Sequence, residues 1–162
     1  MILPDLSPPM VAHPKLAGLL DLWLARFDGR NLPSRTAFSF EDFRPWMGNL
    51  GIIEVERPAL RFRFRLYGVQ LVEFDDQDFT GRYLDEVLPS ERVEAILALY
   101  RRCVETGLPV HITGPSGRKD WLVMNRLLLP CATDGRTVDR IILGLYPENP
   151  DRQEGRTGLL GE

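Results

Sequence analysis

Chemistry needs nucleophiles, acid–base groups or metal ligands at usable spacing, and this chain supplies few. Its two histidines, His13 and His111, and two cysteines, Cys103 and Cys131, stand far apart. None falls in a C-x-x-C or H-x-x-x-H spacing, so no metal site is expected. G-x-S-x-G is absent, and Ser116 in Gly114-Pro115-Ser116-Gly117 reads most simply as a turn residue. A Gly-rich phosphate loop is also missing. Asp75, Asp76 and Asp78 form an acidic cluster. It lacks the central glycine and closing bidentate glutamate of a calcium loop, and reads as a solvated turn. Asp85, Glu86 and His111 remain as groups able to move a proton. They would serve a small α+β enzyme acting on a hydrophobic substrate in a cavity, yet no constellation joins them. A lone histidine in a strand is more simply a hydrogen-bonded structural residue.

Composition narrows the partners. A chain of 162 residues with net charge -3 suits one domain with its own core, and has no general attraction for nucleic acid or anionic lipid. No apolar run reaches membrane-spanning length, and the N-terminus lacks the basic and apolar regions of a secretory signal. A cytoplasmic protein with no membrane partner is expected, with Cys103 and Cys131 as buried free thiols.

The elements that must position any site follow from periodicity. Residues 1–12 carry prolines and no period, and read as a flexible arm. Leu16, Leu19, Leu20, Trp23, Leu24 and Phe27 fall at helical spacing, with Pro14 in the first turn and Gly29 as the stop. Ser39-x-x-Asp42 resembles a capping box opening a short helix that Pro45 limits. Gly51 to Glu56 and Leu60 to Tyr67 read as strands. The second alternates strictly, with Phe62, Phe64 and Leu66 on one side and Arg61, Arg63, Arg65 and Tyr67 on the other. A long helix is expected from Ser90 to about Thr106, closed by Gly107. Val110 to Gly114, Asp120 to Leu129 and Val138 to Tyr146 read as three more strands, and residues 147–162 as a disordered tail. Five strands with helices grouped between the second and third make an antiparallel α+β layer.

Several of these segments occur in a familiar order. His13-Pro14, Leu32-Pro33-Ser34-Arg35, Arg44-Pro45-Trp46, Arg63-Phe64-Arg65-Leu66-Tyr67-Gly68, Asp78-Phe79-Thr80-Gly81 and Tyr83-Leu84-Asp85 follow one another over residues 13–146. Together they resemble the stand-alone PAS-like family of alphaproteobacteria, small sensory modules of bacterial signalling. The resemblance implies a sheet of order 2-1-5-4-3 with helices on one face, a signalling context, and a pocket between sheet and helices. With no catalytic constellation in the chain, a non-enzymatic sensory or protein–protein interaction module is expected. It makes the arginine-rich second strand an edge, where outward charge resists accidental pairing.

The resemblance also allows cofactors to be tested. Haem-binding members use a histidine on the long helix, and residues 91–106 have none. Flavin photoreceptors carry a cysteine in the short-helix region, and residues 68–87 have none. Haem and flavin are both disfavoured, and no cofactor is expected. A small ligand between sheet and helices would meet aromatic residues with polar tips, for which Trp46, Tyr67, Tyr83, Tyr100 and Trp121 are the candidates. The strand around residues 121–129 is apolar on both faces and must be covered on both. One cover is the short helices with the long helix; the other is the first helix or a second subunit. Asn125, with Val123 and Leu127 as alternation partners, needs a bonding partner in the protein or in a ligand. The expected partners are a homodimer mate, through the N-terminal helix or a sheet face, and a signalling protein.

Overall fold

The structure, a computed structural model of the chain, describes residues 11–115 and 122–148. The arm and tail expected at the two ends lie largely outside these residues, as do Ser116 and Trp121. Within them, β1 (Leu50–Glu56), β2 (Arg61–Tyr67), β3 (Val110–Pro115), β4 (Val123–Cys131) and β5 (Arg140–Pro147) form one sheet. All pairings are antiparallel and the order is β2-β1-β5-β4-β3. Three helices, α3 (Val69–Asp75), α4 (Leu84–Val87) and α5 (Ser90–Thr106), lie between β2 and β3 in the chain. This is the α+β architecture that the element order implies.

The sheet is covered on both faces, and the covers differ. On the inner face α5 buries Ile96, Leu97, Tyr100 and Cys103 in a core shared with Met124, Leu128 and Leu143. Gly107 ends the helix at φ 64, its N–H on the Cys103 carbonyl at 3.0 Å. On the outer face lies α1 (Pro14–Arg26), with Leu16, Leu19, Leu20 and Trp23 buried. Trp23 Nε1 donates to the Pro130 carbonyl at 2.8 Å. The helix sits so low on β5 that a Cβ at Gly144 would lie 2.7 Å from Leu16 Cδ2 and 2.8 Å from Leu19 Cδ2. A side chain here would force both leucine methyl groups to move, so glycine suits this approach. The helix stops at Arg26, three residues before Gly29, because Phe27 leaves the helical conformation and stacks on Trp23 at 5.1 Å. Val11, assigned to the flexible arm by its prolines, is buried in the outer core. Next to α1, Ser39 and Asp42 form the expected capping box of α2 (Phe40–Phe43), and a 3-10 turn over Arg44–Asn49 leads into β1.

One expectation fails in β2. Strict alternation puts Phe62, Phe64 and Leu66 together and Tyr67 with the arginines. In the structure Ile52 pairs with Leu66 and Ile53 with Phe64, which leaves Arg65 as the extra residue of a β-bulge. The bulge inverts the phase beyond it. Tyr67 therefore joins Phe62 and Phe64 in the inner core, and Leu66 faces the outer core. Arg61 and Arg63 do more than line an edge. Arg61 holds Asp85 at 2.8 and 3.0 Å and lies 3.6 Å over the Tyr83 ring, while Arg63 reaches the Gly81 carbonyl at 3.2 Å. These contacts tie residues 81–86 along the outer rim of β2.

Candidate functional site

The residues best placed to recognise something lie between the inner sheet face and α3, α4 and α5. A cavity of about 40 Å³ opens there. Most of its wall is apolar: Phe64, Phe79, Leu84, Ile96 and Leu143 contribute to it. Among the described residues, four polar side chains also reach it: Tyr67, Asp75, Tyr100 and Arg126.

Each arrives by a definite local route. Arg126 shares its side of β4 with Met124 and Leu128, so the pleat aims it inward among core residues, and it is only 8% exposed. Asp75 ends α3, where Leu71, Phe74 and Asp75 recur at helical spacing on the buried face. Asp76 follows at φ 62 and stops the helix. Tyr67 is turned inward by the bulge at Arg65. Tyr100 is on the buried stripe of α5.

The four are connected. Tyr67 Oη donates to Asp75 Oδ2. Burial first, and the Asp75 charge second, hold the Tyr67 phenol far above its ordinary value. The Tyr100 hydroxyl bonds Arg126, and burial pushes its pKa up to about 12 against the opposing pull of that guanidinium. Both phenols thus keep their protons well above neutrality. The site offers one buried guanidinium, two phenolic hydroxyls and one carboxylate in apolar surroundings. That set can bind and orient a polar group. A volume of about 40 Å³ has room for roughly two or three waters.

The candidates named from the sequence are distributed as follows. Tyr67 and Tyr100 line the cavity together. Tyr83 lies outside it, its hydroxyl on Glu56 Oε1 at 2.9 Å. Trp46 packs against the outer core, its Nε1 donating to the Lys15 carbonyl at 2.7 Å. Trp121 is outside the described residues. Asn125 is buried but faces the α1 side, with Leu127 and Leu129. It accepts from Thr113 Oγ1 at 2.7 Å and also bonds His111. Its partner is protein, and the polar residue aimed at the cavity is its neighbour Arg126. Asp85 and Glu86 pair with Arg61 at the surface. His111 lies on β3 beside Asn125, near His13, and its Nε2 is buried without a partner among the described residues. None of these three lines the cavity. Asp75 does, although its acidic run reads as a solvated turn. The signal for Asp75 was its spacing from Leu71. Arg126 had none, because β4 is apolar on both sides.

Cys103 and Cys131 are both buried and free, in the inner and outer cores respectively. Burial raises both thiols, that of Cys131 to about 12, so neither is a reactive thiolate at neutral pH. Among the described residues no His, Cys, Asp or Glu cluster is placed to hold a metal, and no helix is long and apolar enough to cross a membrane.

Comparison with known proteins places the fold. Residues 11–146 match a family described as PAS domain. No curated protein matches the chain. A light-oxygen-voltage domain solved with a flavin analogue has a TM-score of 0.53 at 11% identity, over 75% of this chain and 92% of its own. A domain of an HTR-like protein from Haloarcula marismortui has a TM-score of 0.47 at 16% identity, over 62% of this chain and 99% of its own. A sensory box sensor histidine kinase from Vibrio cholerae has a TM-score of 0.47 at 12% identity, over 67% of this chain and 85% of its own.

Proposed function

The chain belongs to the PAS domain family, and from that premise we propose that it is a non-catalytic signalling module of the cytoplasm whose input is a small ligand bound at Arg126. The observation that carries this reading is the guanidinium itself. Arg126 is 8% exposed in a largely apolar chamber. Burying such a charge costs several kcal/mol before its partners offset it, so it marks a site better than it explains stability. A ligand with a hydrogen-bond acceptor would take its place beside Arg126 and the two phenols.

The cavity is too small for anything much beyond water. Binding of a larger ligand therefore selects conformations in which α3 and α4 have moved away from the sheet. That displacement is the signal. Asp75 carries it, because the Tyr67 hydrogen bond ties the end of α3 to β2. A protein partner or a second copy reads the change. The protein works without haem or flavin, since α5 has no histidine and residues 68–87 have no cysteine.

A rival reading, a small enzyme acting on a hydrophobic substrate, would rest on Asp75, the carboxylate in the cavity. Thermal melts with and without a cellular small-molecule extract separate the two. A sensor shows a rise in melting temperature that is reduced in Arg126→Gln and persists after prolonged incubation. Turnover would make the rise decay as substrate is consumed, and Asp75→Asn would preserve it.

A further inference from the structure

A second concavity lies on the opposite face of the sheet, and it is the larger. It occupies the outer surface of β1 and β2 beside the short helices, with a volume of about 350 Å³. Leu50, Ile52, Leu66, Phe43 and Met47 make its floor. Phe40, 67% exposed, stands at its edge. Among the described residues, three guanidiniums border this apolar floor, those of Arg35, Arg65 and Arg140, and no carboxylate lines it.

The three arginines are not equivalent. Arg140 is committed to Glu54 at 3.3 Å. Arg35 lies over the rings of Phe43 and Phe40 at 5.3 and 5.8 Å, and its Nη1 donates to the Phe38 carbonyl at 3.1 Å. It has no carboxylate partner among the described residues. Arg65 is the extra residue of the β2 bulge, is exposed, and has neither an ion pair nor a hydrogen bond among the described residues. Bulges re-aim side chains. Here the bulge supplies the groove with two things at once: Leu66 for its floor and Arg65 for its rim.

We propose that this groove binds an amphipathic anion, an apolar chain ending in a carboxylate or phosphate. The apolar floor takes the chain. Arg65 and Arg35 take the head group, for which the guanidinium fork is suited. The volume falls within the range of about 300–1,000 Å³ usual for small-molecule sites, and the groove is open without any helix moving. A second copy is a poorer occupant. A two-fold dimer formed here would set this arginine-bordered patch against itself.

The test is an amide NMR titration of the full chain with octanoate, octyl phosphate and octanol. Octanoate or octyl phosphate should shift Ile52, Leu66 and Phe43 and leave Leu143 and Leu145 in place. The tighter of the two identifies the head group. Octanol should bind about tenfold more weakly or worse, and Arg65→Gln should weaken the anion by about tenfold. Arg65 is exposed, so that variant keeps the wild-type melting temperature. Equal binding of octanol, unchanged affinity in Arg65→Gln, or shifts at Leu143 would overturn the proposal. So would a response only to an acidic peptide, or broadening at Leu66 that grows with protein concentration. Arg126→Gln leaves this titration unchanged, so failure here is distinct from failure of the inner site.

Discussion

Arg126 and Asp75 set the energetics of the inner site, and a double substitution can resolve them. Removing one charge of a buried, oppositely charged set strands the other. Arg126→Met should cost about 3–5 kcal/mol in denaturant unfolding. Adding Asp75→Asn should recover part of that loss, since the stranded charge is gone. Strictly additive costs would show that the two do not interact. The histidines make a second prediction at this scale. Burial is the leading cause holding both His13 and His111 below the ordinary histidine value of 6.5, and the charge of His111 adds to it at His13. The fold therefore favours the neutral rings, while the unfolded chain takes up protons as the pH falls past 6.5. Stability from the neutral rings is complete above that pH and is lost as the pH falls through the lowered folded values. The melting temperature should decline below about pH 6.5, and the decline should be shallower in His111→Gln. Parallel declines in the two proteins would remove His111 from the account. Sequence reasoning reached Tyr67 and Tyr100 but chose Asn125 over Arg126. Alternation separates the two faces of a strand without saying which is inner. In β4, apolar residues on both sides left only the polar one to decide, and two polar residues stand there side by side.

At the level of elements, α1 is seated closely on β5. Leu16 and Leu19 touch the space where a Gly144 side chain would be, and Trp23 is fully buried. Trp23→Ala should lower stability by about 3–5 kcal/mol. Gly144→Val should lift α1 from the sheet, seen as faster amide exchange at Leu19 and Leu20. An unchanged stability in Trp23→Ala would mean that α1 packs elsewhere. The helix, its apolar stripe and its need for a cover were all legible from spacing. So were the capping box at Ser39 and the stop at Gly107. The bulge was not. The alternation of β2 runs unbroken in the sequence through Leu66 and Tyr67, and only pairing with β1 reveals that Arg65 is extra. Propensity and period are local, whereas register depends on the neighbouring strand.

Taken as a whole, the molecule is a sheet with a different surface on each side. The inner face holds a small charged chamber under two short helices of four and seven residues, α4 and α3. The outer face carries α1 and, beside it, an open arginine-bordered groove. The order of elements was legible because the helices cluster between β2 and β3. The two-faced division of labour was not, because it depends on which side of β4 and β2 each polar residue takes. With no ligating histidine on α5 and no cysteine in residues 68–87, the purified protein should show neither a Soret band nor flavin absorbance. A stoichiometric chromophore would contradict the cofactor-free reading. The central claim is that Arg126 anchors an internal ligand. Native mass spectrometry of the full chain, incubated with a cellular small-molecule extract, tests it most directly. The account predicts a discrete added mass on the wild type, retained by Arg65→Gln and lost from Arg126→Gln. No added mass on the wild type, or the same mass on folded Arg126→Gln, would contradict it.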